Sequence, residues 1–168
     1  IVFQLAPDGL TLGDLRNISI SRANGEFLIQ WDDDDLYHKD RILTMMNVIR
    51  QSNADLAFLS KWQLYWISKK QLALSSARIW EGSVIMKRSA SIIYPSLKKG
   101  EDTPVVTHQI KKHKIALVNA PHLYTYCITG LNTHDENHFE NMFNKGKIYS
   151  SLDADNIKGK LNYFKYLQ

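Results

Sequence analysis

Short apolar runs alternate with amphipathic stretches along the chain, and each stretch carries its own period. Thr11, followed three residues later by Asp14, has the form of a capping box. Leu12, Leu15, Ile18 and Ala23 then recur near helical spacing, which predicts a helix over 12–23 stopped by Gly25. EFLIQW, 26–31, is short and mostly apolar and predicts a buried central strand. Over 39–51, Ile42, Met45, Met46, Val48 and Ile49 form a helical stripe that ends at the polar QSN. DLAFLS running into KWQLYWIS predicts one long strand, or two with a bend, and GSVIMKR, 82–88, predicts another. Pro104 falls where the first turn of a helix tolerates it, so 102–113 is expected to be helical. IALVNA and LYTYCI supply the last strands and NHFENMF a short helix.

Strands and helices in alternation predict an α/β fold with helices packed on a sheet. Ligands of such sheets bind outside the carboxyl ends of the strands. Residues 32–35, four consecutive aspartates, follow the carboxyl end of the strand at 26–31.

Composition narrows the class. A chain of 168 residues, 44% hydrophobic and without repeats or low-complexity segments, fits a single domain. Its lone cysteine, Cys127, has no internal disulfide partner, and apolar neighbours predict a buried structural thiol in a reducing compartment. No run approaches the roughly 20 apolar residues of a membrane span, and IVFQLAPDG lacks a signal peptide's basic head, which predicts a soluble, cytoplasmic protein. The net charge of +4 is spread over small lysine pairs at 69–70, 98–99 and 111–112, as on a solvated surface; a phosphate-rich ligand or an anionic membrane surface is the alternative. The aromatics are not interleaved with these lysines in one stripe, which argues against nucleic acid. Lys147, Lys158, Lys160, Tyr163, Phe164 and Tyr166 predict a tail helix lying on the core or on a membrane surface.

The aspartate run sets the chemistry. Unit charges about 4 Å apart repel by roughly 4 kcal/mol at an effective dielectric near 20. Either water solvates the run or a cation sits among the carboxylates. Mg²⁺ and Mn²⁺ take oxygen ligands, commonly one or two carboxylates with water and substrate phosphate completing the shell. On an extended turn Asp32 and Asp34 share one face and Asp33 and Asp35 the other, with Asp35 expected to cap the following helix. Glu101 and Asp102 open another predicted helix, either as dipole-complementing caps or with one of them a general base. HDENH, 134–138, carries two histidines, but Asp135 stands where a zincin motif needs glutamate, and no cysteine cluster supports a structural zinc. A phosphate-cradling G-x-x-x-x-G-K-[ST] loop does not occur.

LGDLRNISISRANGEFLIQWDDDD resembles the segment of family 2 glycosyltransferases, of the GT-A fold, in which a helix with an Arg-Asn pair leads through a Gly-Glu turn into the strand ending in the D-x-D motif. YHKDRI continues the likeness, with Lys39 where proline is usual, and EGSVIMKR, YPSLKKGEDT and LYTYCITGLNTHDENHF follow in the family's order, so that the resemblance covers 8–143. It implies a GT-A (Rossmann-like) mixed sheet with helices on both faces, in a single partial domain of core 8–143 and tail 144–168. The family's opening strand, helix and strand precede the point where this sequence starts, which leads to the expectation of an exposed sheet edge capable of self-association.

The resemblance also implies roles. Asp34 binds the divalent metal, Mn²⁺ or Mg²⁺, that bridges a donor diphosphate, and Asp32 faces the ribose or assists the metal. Arg16 and Asp33 belong to the substrate-binding set, Arg16 near the nucleotide. Asp102 is the catalytic base, Glu101 helps position the acceptor, and Trp80 and Gly82 line the sugar and acceptor pocket. Some relatives complete the metal shell with a histidine where Thr129 stands here, leaving His134 or His138 as candidates. The implied activity is inverting transfer of a sugar from a nucleotide-diphosphate sugar, a UDP-sugar foremost, to a saccharide or other hydroxyl acceptor, as in polysaccharide biosynthesis at the inner face of the membrane. The alternative is a non-catalytic fragment or interaction module that retains part of the fold.

Overall fold

The computed structural model describes residues 8–91 and 93–161. Helix α1 (Leu12–Arg22) begins at the expected capping box: the Asp14 amide donates to the Thr11 hydroxyl, and the Thr11 amide donates to the Asp14 carboxylate at 2.9 Å. It stops two residues before Gly25's predicted position, at Ala23, whose amide bonds back to the Ser19 and Ile20 carbonyls.

Strand β1 (Phe27–Ile29) leads into the aspartates, followed by the two-residue strand β2 (Leu36–Tyr37) and helix α2 (Arg41–Ser52). The apolar segment after α2 is two strands, β3 (Leu56–Leu59) and β4 (Gln63–Trp66), and they belong to different sheets. β5 (Gln71–Leu74), β6 (Trp80–Lys87), helix α3 (Asp102–Lys112), β7 (Ile115–Val118), β8 (Tyr124–Ile128), helix α4 (Glu136–Lys145), β9 (Lys147–Ile148) and helix α5 (Ser151–Lys160) complete the order.

The expected single sheet is thus two. One has the order β1-β6-β3-β7, with β6 antiparallel to β1 and β3, and β3 parallel to β7. The other runs β2-β8-β4-β5-β9, with β4 parallel to β8 and the remaining pairs antiparallel. The break falls between Leu59 and Gln63, where the Ser60 amide still reaches Val118 of the first sheet while the Trp62 amide donates to the Ser75 hydroxyl beside the second. β1 is an edge strand among the described residues, not the central strand expected, and accordingly Phe27 and Ile29 remain partly exposed.

Helices cover both faces of the first sheet, as anticipated. Alternate residues of a strand point to opposite faces. Ala57 and Leu59 join Met45 and Ile49 of α2 in a cluster that extends through Trp62, Leu64 and Tyr124 to Phe139 and Phe143 of α4. Leu56 and Phe58 face the other way, onto Val106 of α3 and Ile20 of α1. All four β3 residues are fully buried, and sealing each large apolar side chain contributes about 1.5–3 kcal/mol. The tail helix α5 lies on the core through Ala154 and Ile157, against Leu72 and Tyr65. Tyr163, Phe164 and Tyr166 lie outside the described residues. Among the described residues no helix is long and apolar enough to cross a membrane.

Candidate active site

The aspartate run leaves β1 at its carboxyl end, pinned by the residues that follow it. The Tyr37 hydroxyl accepts from the Asp32 amide and donates to the Asp32 carbonyl, both at 2.9 Å. Beneath the run lies Arg41, fully buried, its guanidinium 4.6–5.1 Å from the ring centres of Tyr37, Tyr124 and Trp31. Its Nη2 donates to the Gln30 carbonyl at 3.1 Å. Such a cage holds a cation by its ring quadrupoles where water cannot solvate it.

Asp35 is turned inward. It is 8% exposed and accepts from the Tyr124 hydroxyl and from the Cys127 amide at 2.9 Å. The expected helix-capping role is overturned, because these two donors of β8 outcompete the start of α2, whose cap position is Asp40. Burial pushes the Asp35 carboxyl up to about 8, against the two hydrogen bonds, with Asp34 and Asp32 adding to the rise. Cys127 is the buried thiol expected, pushed up to about 12 chiefly by burial.

Asp32, Asp33 and Asp34 face a cleft of about 470 Å³, so Asp33 joins the pair from which strand alternation separates it. Asp32 accepts from Gln30 Nε2 at 3.0 Å and lies 3.5 Å from Arg16 Nη1. Arg16 Nε donates to Glu101 at 2.6 Å. One side chain of α1 therefore ties the aspartate run to the start of α3. Burial opposes the Arg16 charge, yet Asp32 and Glu101 raise its pKa overall. Glu101 is 2% exposed and makes no capping bond with its side chain, so its partner is Arg16.

Asp102 is the first residue of α3, where the helix dipole favours a negative charge. Its pKa is raised, first by burial, then by Glu101 and Glu81, with Arg16 opposing. Asp34 is raised by burial and by Asp32 and Asp33. Trp80 and Gly82 lie on β6, and a Cβ at 82 would come within 3.3 Å of the Trp80 indole, so glycine there gives the ring its room. All eight residues singled out from sequence, Arg16, Asp32, Asp33, Asp34, Trp80, Gly82, Glu101 and Asp102, line this one cleft.

Sequence reasoning missed Asn132. Its Nδ2 donates to Asp34 at 3.3 Å and to the Cys127 carbonyl at 3.0 Å, and its Oδ1 accepts from the Thr129 amide at 2.8 Å. Thr129 thus anchors a turn that closes on the aspartates. His134 and His138 stack at 4.1 Å on the cleft wall, and Asp135 between them caps α4 by accepting the His138 amide at 2.9 Å. Among the described residues no group of three or more His, Cys, Asp or Glu gathers as a metal cage.

No protein-family model matches the chain, and no curated protein matches it in sequence. Solved structures do match in shape. S. aureus TarS 1-349 in complex with UDP-GlcNAc aligns with a TM-score of 0.61 at 16% identity, covering 99% of this chain and 56% of that one. S. aureus TarS 1-349 in complex with UDP gives 0.55 at 16% identity, over 94% and 52%. S. aureus TarS itself gives 0.58 at 16% identity, over 95% and 32%. The chain spans from about a third to little more than half of these neighbours' length. It has their GT-A-like α/β fold, with two mixed sheets carrying helices and one acidic cleft beside the strand that leads into the aspartates.

Proposed function

We propose that the cleft is the active site of a family 2 type glycosyltransferase, moving a sugar from a nucleotide-diphosphate sugar to an acceptor hydroxyl with inversion. The observation that carries this reading is the convergence of the D-x-D aspartates at the end of β1 with Asp102 at the start of α3, joined through Arg16 and Glu101. The structural neighbours bound to UDP-GlcNAc and UDP support a UDP-sugar as donor.

Asp34 and Asp32 are the residues that would hold Mn²⁺ or Mg²⁺. They fit a hard cation: Asp34 is destabilised as an anion by burial and by two neighbouring carboxylates, the condition a divalent ion relieves. A three-residue cage is not required, since these ions keep water and substrate phosphate in their shells. When bound, the ion supplies neutralisation of the charge that develops on the departing diphosphate.

The chain's own residues perform the rest. Asp102, its carboxylate made more basic by burial and by Glu101 and Glu81, takes the proton from the acceptor hydroxyl. The acceptor oxygen attacks the anomeric carbon as the bond to the diphosphate breaks, with no covalent enzyme intermediate. Arg16, held by Asp32 and Glu101, presents a fixed positive charge beside the donor. Trp80 offers the sugar an aromatic face.

Asp102→Asn tests this. With UDP-sugars and a panel of saccharide acceptors, the variant is expected to bind UDP as the parent does and to release UDP by transfer about 10²–10⁴ times more slowly. Transfer at the parent rate would remove Asp102 from the role of base.

A further inference from the structure

Beside the cleft lies a second cavity of about 390 Å³. Arg78 and His138 line both spaces, so the two meet at those side chains. An aromatic stack forms the partition. Trp80 on the cleft side lies 4.4 Å from Trp62 on the other, and the Arg78 guanidinium sits 5.2 and 5.6 Å from their ring centres.

The two spaces are opposite in charge. Asp32, Asp33, Asp34, Glu81, Glu101 and Asp102 line the cleft. Among the described residues no carboxylate lines the second cavity, where Arg78 and Lys145 supply the charge and Ser75, Ser76 and Asn141 supply polar groups. Besides its contacts with the two indoles, Arg78 makes one long ion pair among the described residues, 3.8 Å to Glu81, and its side chain is 47% exposed, so donors of its five-donor guanidinium stay open to a ligand. Among the described residues the buried Trp62 Nε1 donor has no hydrogen-bond partner. The positive field reaches His138, whose pKa is lowered by burial, by His134 and by Arg78.

We infer that the second cavity is a subsite for an anionic group, phosphate or carboxylate, borne by the acceptor. The inference rests on reading the cleft as a glycosyltransferase site. A donor diphosphate belongs against the aspartates, where a divalent cation offsets its charge. A cavity without acids, opening past Trp80 and Arg78, is suited to a substrate that carries its own negative charge. That substrate would reach into the cleft with its hydroxyl and leave its anion behind the tryptophan stack.

The test is amide and indole NMR of the full chain, titrated with glucose 6-phosphate, glucuronate and glucose. The reporters are the backbone amides of Asn141 and Met142, which line only the second cavity, and the Trp62 indole. Saturable shifts with either charged sugar and none with glucose are expected, and whichever of the two responds identifies phosphate or carboxylate as the group taken. Lys145→Glu, an exposed change in the last turn of α4, is expected to weaken that binding about tenfold or more while the rest of its spectrum stays that of the parent. Equal shifts with glucose, or undiminished binding by the variant, would overturn the inference. A UDP titration with Mn²⁺ on the parent separates the two readings. UDP binding without charged-sugar shifts overturns the anion subsite and spares the glycosyltransferase. Charged-sugar shifts without UDP binding overturn the assignment to an acceptor.

Discussion

Asp34 and Asp35 are adjacent in sequence and opposed in environment. Asp34 stands on the cleft within reach of Asn132, while Asp35 is sealed beneath it by Tyr124 and Cys127. The consequence of sealing is a pH dependence of stability. An ordinary aspartate titrates near 3.8, and in the folded chain Asp35 is raised to about 8. A raised acid keeps its proton in the native state longer than in the unfolded one. Its contribution is therefore fully present below about pH 4 and is lost as pH rises towards 8, by up to about 1.4 kcal/mol per unit. Asn can accept from Cys127 and donate to Tyr124 without ionising, so Asp35→Asn is expected to lose less stability between pH 5 and pH 8 than the parent in urea unfolding. Parallel losses in the two proteins would contradict the assignment. At this scale the sequence was informative where residue type alone marks a candidate: Asp32, Asp34, Arg16 and Asp102 all line the cleft. It was silent where the partner is remote. Nothing local in DDDD distinguishes Asp35, whose fate is decided by residues 89 and 92 positions away.

Among the elements, α1 is the one that transmits fold to site. The helix is zipped to the segment at 94–97: Asn17 exchanges hydrogen bonds with the Tyr94 backbone at 2.8 and 2.9 Å, Ser96 donates to Asp14 at 2.6 Å, and the Gly13 amide donates to the Leu97 carbonyl at 3.2 Å. Gly13 makes this contact possible, because a Cβ there would lie 1.9 Å from the Pro95 carbonyl oxygen. Gly13→Ala must push the helix away and carry Arg16 with it. A destabilisation of about 1–3 kcal/mol is expected in urea unfolding, with weaker UDP binding. Gly159→Ala in α5 is the control, since its Cβ meets open space and a gain of up to about 1 kcal/mol is expected. Equal effects of the two changes would dismiss the packing argument. Elements specified by local signals were legible, as with the capping box at Thr11 and the first-turn Pro104. The two-residue strands β2 and β9, and the passage of the chain from one sheet to the other at Ser60–Trp62, were not, because pairing with distant strands creates them.

Across the whole molecule, charge is unevenly distributed. The chain carries a net +4, yet six carboxylates among the described residues line the candidate active-site cleft. A nucleoside diphosphate entering that cleft brings further negative charge into space where like charges already repel. If the cleft is a donor site, its affinity for UDP must depend on a divalent cation held by Asp34 and Asp32. The alternative of a non-catalytic module makes no such demand. Calorimetric titration with UDP, with and without Mn²⁺, on the parent chain and on Asp34→Asn, both shown to be folded by circular dichroism, separates them. The account predicts binding by the parent that requires Mn²⁺ and is lost in Asp34→Asn. Binding that is indifferent to Mn²⁺ or to the Asp34 change, or no binding by the folded parent under either condition, would contradict it.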